Sequence, residues 1–326
     1  MKLKIDGFVV AIVGVIVTAY FFPQWGSKQS AIPFNLIGSI GISLIFFFYG
    51  LKLSPEKMKF GLKNWKLHLM VQTSTFILFP LLVLAFYPFF AGKADQTSWL
   101  AFMFLAALPS TVSSSVVMVS IAKGNIPAAI FNASISGLIG IVITPLWMSL
   151  FLQNAAADFD LGSTYLKLIT EILLPVFLGV ALQRYWGDFV RKHSRYLSLF
   201  DKSVILLIIF KSFAESFDEH IFSSVSGSDF LILLLAVLSL FSCIFFLTRF
   251  ISMQMGFSLE DRITAQFCGT KKSLVHGTVF SKILFQNTLS IGMTLLPLML
   301  FHFIQIFIIS IVASRMARKQ ELAIAS

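Results

Sequence analysis

Apolar residues run along this chain in ten long stretches, separated by short polar or charged connections. The stretches cover about 8–22, 33–51, 67–90, 98–122, 126–152, 165–186, 199–216, 229–254, 263–282 and 287–314. A helix needs about 20 mostly apolar residues to cross a hydrocarbon core. Backbone polar groups must be satisfied internally there, so each stretch is expected to be helical. The predicted fold class is an all-α membrane protein with about ten transmembrane helices. The fourth and ninth stretches carry polar residues in their middle and are expected to be discontinuous.

Charge tests that count. With the N-terminus in the cytoplasm, 18 of the 25 Lys and Arg residues fall on the cytoplasmic side, and only Lys28, Lys93 and Lys282 on the other. The remaining four, Lys167, Lys211, Lys271 and Lys272, lie inside helices or at their edges. Cytoplasmic loops are enriched in Lys and Arg, so the asymmetry predicts both termini inside and an even number of crossings. Composition agrees: hydrophobic residues make up 57% and charged residues 12%, where soluble domains carry about 25% charged residues. The net charge of +10 does not imply a nucleic-acid partner, because the charges lie in short clusters and form no basic stripe interleaved with aromatics. Cys243 and Cys268 fall in apolar stretches and read as small buried hydrophobes.

Met1-Lys2-Leu3-Lys4 followed by Phe8 to Phe22 has the outline of a signal peptide. Phe21-Phe22-Pro23 stands where a small-residue cleavage site belongs, so the stretch is read as the first membrane helix. Leu51–Lys66 reads as a short amphipathic helix on the inner surface or as a charged loop. The outer loops are mildly acidic, with Asp158, Asp160, Asp218 and Glu219.

A five-plus-five division near 155–163 puts Thr144-Pro145-Leu146 in the fifth stretch and Leu296-Pro297-Leu298 in the tenth, two Pro-Leu steps 152 residues apart. The interrupted fourth and ninth stretches then occupy corresponding places. Corresponding broken helices in two inverted halves are the usual pointer to a midplane site in transporters.

The first interruption is Pro109-Ser110-Thr111-Val112-Ser113-Ser114-Ser115. Proline removes a backbone hydrogen bond, and hydroxyls can satisfy the carbonyls that this frees. The plainer reading is a small-residue packing face. The second is Gly269-Thr270-Lys271-Lys272-Ser273. Each charge at a bilayer centre costs about 2.5–3.5 kcal/mol on insertion scales. That is tolerable if the lysines face a polar cavity; the alternative is that they lie in a loop, which would leave 275–284 too short to span. His276 follows Lys272 by four residues and would share its helical face. Asn132, Ser134 and Ser136 could face the fourth-stretch interruption, and Gln72 to Thr75 form a polar patch in the third stretch. His302 lies in the tenth stretch. Glu171 is spaced for pairing with Lys167, and Glu215 with Lys211.

At these residues the chain resembles the bile acid:sodium symporter family over essentially its whole length. Pro109 to Pro145 and the Gly269 region carry the resemblance, and Phe267 to Leu274 is most similar to the divergent branch shared by bacteria and eukaryotes. Members of that branch have been linked to calcium regulation. The resemblance implies two inverted five-helix repeats. It implies a panel part (about 1–66 and 163–216), a core part (about 67–155 and 229–314), a cytoplasmic tail at 315–326, and interrupted helices that cross near the midplane. It also implies cations behind the crossing, substrate in the cleft between the parts, and a bacterial inner-membrane location. The departures are informative. Phe267 and Lys271 stand where the family has Glu and Gln cation ligands, and Ala129 and Ala133 where it has Ser and Thr. Ser114-Ser115 matches the family's Ser-Asn only with one inserted residue, and Thr75 replaces the third-helix Gln.

The expected function is therefore secondary-active transport of a small organic anion, with the lipid bilayer as the only other expected partner. The candidate site comprises Ser113, Ser114, Ser115, Asn132, Gly269, Thr270, Lys271, Lys272, Ser273 and His276, supported by Gln72, Thr75 and Pro109. No cofactor is expected, a sodium site is doubtful, and sodium or proton coupling is left open. Lys271 is expected to act as a tethered cation in place of a bound one. Two rivals are a hydrolase built on Ser115 and Lys271, which lacks a recognised nucleophile motif, and a non-transporting membrane regulator or scaffold linked to calcium handling.

Overall fold

A computed structural model describes residues 7–27, 30, 32–53, 64–87, 96–155, 161–220, 226–285 and 290–325. Every regular element among them is helical. They are α1 (Gly7–Phe21), α2 (Phe34–Lys52), α3 (Trp65–Ala85), α4 (Gln96–Ala107), α5 (Ser113–Ile121), α6 (Ile126–Ala155), α7 (Leu161–Leu168 and Leu174–Lys192 joined through Ile169–Leu173), α8 (Ser194–Asp218), α9 (Gly227–Gln254), α10 (Leu259–Gly269), α11 (Leu274–Leu284) and α12 (Ile291–Ala325). The fourth and ninth stretches are each split, at 108–112 and at 270–273. Six helices among the described residues are long and apolar enough to cross a membrane. Several boundaries differ from expectation: α7 spans 161–192 rather than 165–186, α8 starts at 194 rather than 199, α10 starts at 259 rather than 263, and α12 continues as helix into the expected tail. Most of the proposed surface helix (54–63) and the outer acids Asp158 and Asp160 lie outside the described residues.

The chain forms two compact units. One draws on 1–54, 153–226 and 278–295. Its centre is the close pairing of α2 with α7. A Cβ on Gly50 would lie 2.2 Å from the Val176 carbonyl, and one on Gly179 would lie 2.2 Å from the Phe47 carbonyl. Only glycine lets the two backbones meet this closely. Leu51, Val190 and Leu197 close a small apolar cluster beside the crossing. Lys211 pairs with Glu215 as the spacing predicts. Glu171 does not pair with Lys167. It sits in a π-turn, Ile169–Leu173, which adds a residue to the helical register and removes the i,i+4 alignment.

The second unit draws on 55–152, 227–277 and 296–326. Its aromatic core stacks Phe241 and Phe79 edge-on against Phe301, with centroids 5.7 and 5.8 Å away. Gly140 makes room for the proline of the first break, since a Cβ there would stand 2.8 Å from the Pro109 ring. Helix α3 contains a second π-turn, Ser74–Leu78, and Pro80 explains its consequence. The Phe79 N–H bonds the Ser74 carbonyl in π register. The next donor would serve the Thr75 carbonyl, but Pro80 has no N–H. A carbonyl of α3 is thus left without a helical partner in the middle of the unit.

Candidate functional site

The site grows from carbonyls of α3 and of the end of α4 that lack helical donors, and from two lysines. Helix α4 stops at Ala107, so its last carbonyls have no intrahelical donors. The Ser110 N–H turns instead to the Ser136 hydroxyl at 3.0 Å, as the polar face of α6 suggested. Lys272, in the ninth-stretch break, supplies what is missing. Its ammonium donates to the carbonyls of Thr75 (2.7 Å), Ala106 (2.6 Å) and Leu108 (2.8 Å). The Phe79 ring covers it with its centroid 4.1 Å from Nζ. An ammonium has three N–H groups and a neutral amine two. Three carbonyl acceptors therefore match the charged form, and the C-terminal end of α4 adds the negative end of its dipole.

Lys271 has a different environment. Its ammonium donates to the Ser114 carbonyl at 2.7 Å, with the Ser114 hydroxyl at 3.4 Å. It thus stands beside the first turn of α5, where Val112 provides no side-chain cap. The positive end of a helix attracts anions. The two lysines accordingly flank opposite poles of one break: Lys272 the carbonyl end of α4, Lys271 the N–H end of α5.

The two breaks are stitched together. Ser110 donates to the Cys268 carbonyl at 2.7 Å, and the Ser273 N–H to the Pro109 carbonyl at 2.9 Å. Gln305 of α12 clamps Lys272 from the other side. Its amide oxygen accepts the Lys272 N–H at 2.8 Å and its amide nitrogen donates to the Lys272 carbonyl at 2.9 Å. His302 Nδ1 lies 2.9 Å from the same Gln305 amide nitrogen. Sequence reading named His302 but missed Gln305. The signal was a glutamine one turn from a histidine in an otherwise apolar stretch.

Several expectations change here. Both lysines are fully buried, so backbone carbonyls and hydroxyls rather than an open polar cavity surround them. His276 does not share a helical face with Lys272, because 270–273 is not helical; it pairs with the Ser273 hydroxyl at 2.9 Å. Asn132 lies 2.9 Å from His68 Nδ1 and accepts from Gln72 at 3.1 Å. Thr75 contributes its carbonyl, while its hydroxyl bonds Val71. Ser115 and Ser114 both bond the Thr111 hydroxyl, and Thr270 bonds Gln266 within α10. Gly269 lies against Ser74, where a Cβ would be 3.3 Å away. The Ser113 side chain lies outside the described residues.

A second polar knot fixes the start of α10. Asp261 accepts from Asn64 at 2.6 Å and from Asn125 at 2.8 Å, tying the first turns of α3, α6 and α10 together. Among the described residues, no group of three or more His, Cys, Asp or Glu side chains is placed to hold a metal ion.

Residues 6–318 match the model of the SBF-like CPA transporter family. The chain is 36% identical over 321 residues to uncharacterized protein PA2026 of Pseudomonas aeruginosa, covering 98% of this chain and 96% of that one. It is 34% identical over 318 residues to the putative symporter YfeH of Escherichia coli, covering 97% and 94% of the two chains. It is 30% identical over 320 residues to sodium/bile acid cotransporter 7 of Danio rerio, covering 95% and 93%. Multi-pass apolar helices, two hydrogen-bonded helix breaks and these matches over nearly the full length lead to one assignment: the chain belongs to the SBF-like CPA transporter family.

Proposed function

We propose that this protein is a secondary-active transporter of a small organic anion in which Lys272 does the work of a bound cation. The observation that carries the reading is the seat of the Lys272 ammonium: three carbonyls within 2.8 Å and an aromatic face, at the meeting of two broken helices. A dehydrated monovalent cation requires the same ring of oxygens. A covalently tethered one is always present, so anion binding needs no sodium. Lys271 and the uncapped first turn of α5 form the anion seat, with the half-buried Ser114 as its way in. Alternating access would come from motion of one compact unit against the other, and the two inverted five-helix repeats would supply the symmetry for it. The two bacterial relatives and the Lys and Arg asymmetry support a bacterial inner membrane with both termini cytoplasmic.

A thermal-shift screen of organic anions on the purified protein, with and without sodium and across pH, tests this. A hit whose stabilisation is independent of sodium and lost in Lys271→Gln is the expected result. No stabilisation by any anion, together with no anion flux in proteoliposomes, would instead favour a membrane regulator that does not transport.

A further inference from the structure

Helix α12 is 35 residues long, about 52 Å at the α-helical rise, where a hydrocarbon core is about 30 Å thick. Its apolar stretch ends at 314, and the helix runs on to Ala325. On this extension the Gln320 side-chain amide donates to the Ala122 carbonyl at 3.0 Å. Gln305 lies fifteen residues earlier on the same helix, about 22 Å away along its axis, and clamps the Lys272 backbone. One helix thus grips the ninth-stretch break with one glutamine and the end of α5 with another.

The end of α5 shows why it takes a donor from so far along the chain. The helix stops in a Schellman turn, with Lys123 in the left-handed region at φ 55°, a conformation uncommon for residues other than glycine. The Lys123 N–H bonds the Ser120 carbonyl at 3.1 Å, and the Gly124 N–H bonds the Val119 carbonyl at 2.8 Å. Of the last turn, the carbonyls of Ile121 and Ala122 remain. Ile121 is exposed, but Ala122 is fully buried. A buried carbonyl needs a partner, and Gln320 supplies it. The opposite end of α5 follows the break at 108–112, so no continuous helix from α4 fixes its direction. That end carries Ser114, whose carbonyl accepts from Lys271 at 2.7 Å.

We infer that Gln320 is a positioning residue of the anion seat: it holds α5 by its far end, and that hold sets the first turn of α5 against Lys271. Nine residues make a rod of about 13 Å. A tilt about its C-terminal end that carries Ser114 about 1 Å from Lys271 stretches their bond past hydrogen-bonding distance. The ammonium and the N–H end of α5 then no longer converge on one point. The extension of α12 therefore acts on anion affinity without touching the anion. This inference rests on the reading of Lys271 and α5 as the anion seat.

The test reads the electrostatic field at the seat with a thiol placed there. Full-length protein carrying Ser114→Cys and Cys243→Ser is purified in detergent. It is exposed to two methanethiosulfonates of similar size, one bearing a sulfonate and one a trimethylammonium group, and labelling is timed by intact mass. The buried Cys268 stays unlabelled in every variant that is folded. In this parent the sulfonate reagent is expected to react faster by at least about threefold. Gln320→Leu, which removes the donor without adding charge, brings the ratio to about one. Gln320→Lys, which donates again, keeps it. Arg318→Gln changes the charge of the extension without touching the bond, and leaves the ratio as in the parent. An unchanged ratio in a folded Gln320→Leu protein overturns the inference, and so does a ratio that follows the charge of the extension rather than the donor at 320. A parent that shows no preference for the sulfonate overturns the anion seat itself, and the inference with it.

Discussion

Replacing Lys272 by methionine removes the charge and keeps most of the side-chain volume. Three carbonyls at 2.6–2.8 Å lose their donor at once. Hydrogen bonds to a charged group contribute about 1.5–3 kcal/mol each, and a desolvated cation–π contact about 2 kcal/mol. Against that stands the penalty of burying the ammonium, several kcal/mol, which methionine does not incur. Removing one member of a buried charge-assisted network costs about 3–5 kcal/mol net, and that is the size expected here. Globular domains are stable by about 5–15 kcal/mol, so the variant should melt on the order of ten degrees lower. Melting followed by size-exclusion chromatography in detergent reads this directly. Lys272→Ala offers a sharper arm, because propylammonium replaces the deleted atoms and should restore several degrees to that variant alone. A methionine variant as stable as wild type would refute the three-carbonyl seat.

Other expectations follow from the same contacts. Gln305→Leu loses both bonds to the Lys272 backbone and should destabilise by about 1–3 kcal/mol in thermal unfolding, with weaker anion-induced stabilisation. Thr75→Val should change stability by less than about 1 kcal/mol, because Thr75 serves Lys272 through its carbonyl; a large loss would mean that the hydroxyl matters. Gly179→Ala places a methyl 2.2 Å from the Phe47 carbonyl, and should cost about 1–3 kcal/mol or more and lower expression. A fluorescent protein fused after Ser326 should fluoresce in the bacterial cytoplasm, and a dark fusion that exports alkaline phosphatase would reverse the topology.

The helices were legible because bilayer thickness turns hydropathy into length, and both breaks announced themselves through Pro109 and the paired lysines. What the sequence could not display was direction. On a continuous helix, Lys272 and His276 share a face; the break at 270–273 cancels that register and sends Lys272 to carbonyls of α3 and α4. Lys271 looked like the stand-in cation because it occupies the position of a ligand in the resembled family. The carbonyl ring surrounds its neighbour instead, and backbone acceptors leave no side-chain signature. The Thr75 carbonyl is the clearest case: its availability follows from Pro80 five residues later and a π-turn that no composition rule reveals. Asn132 and Gln72 stood out as polar residues in apolar stretches, but the bonds of Asn132 to His68 and to Gln72 needed coordinates.

Whether Lys272 fills the cation position is tested most directly by equilibrium binding of radioactive sodium to the purified protein. The seated ammonium predicts no saturable sodium binding by the wild type, and its emergence once Lys272 is replaced by alanine. Saturable sodium binding by the wild type would contradict it.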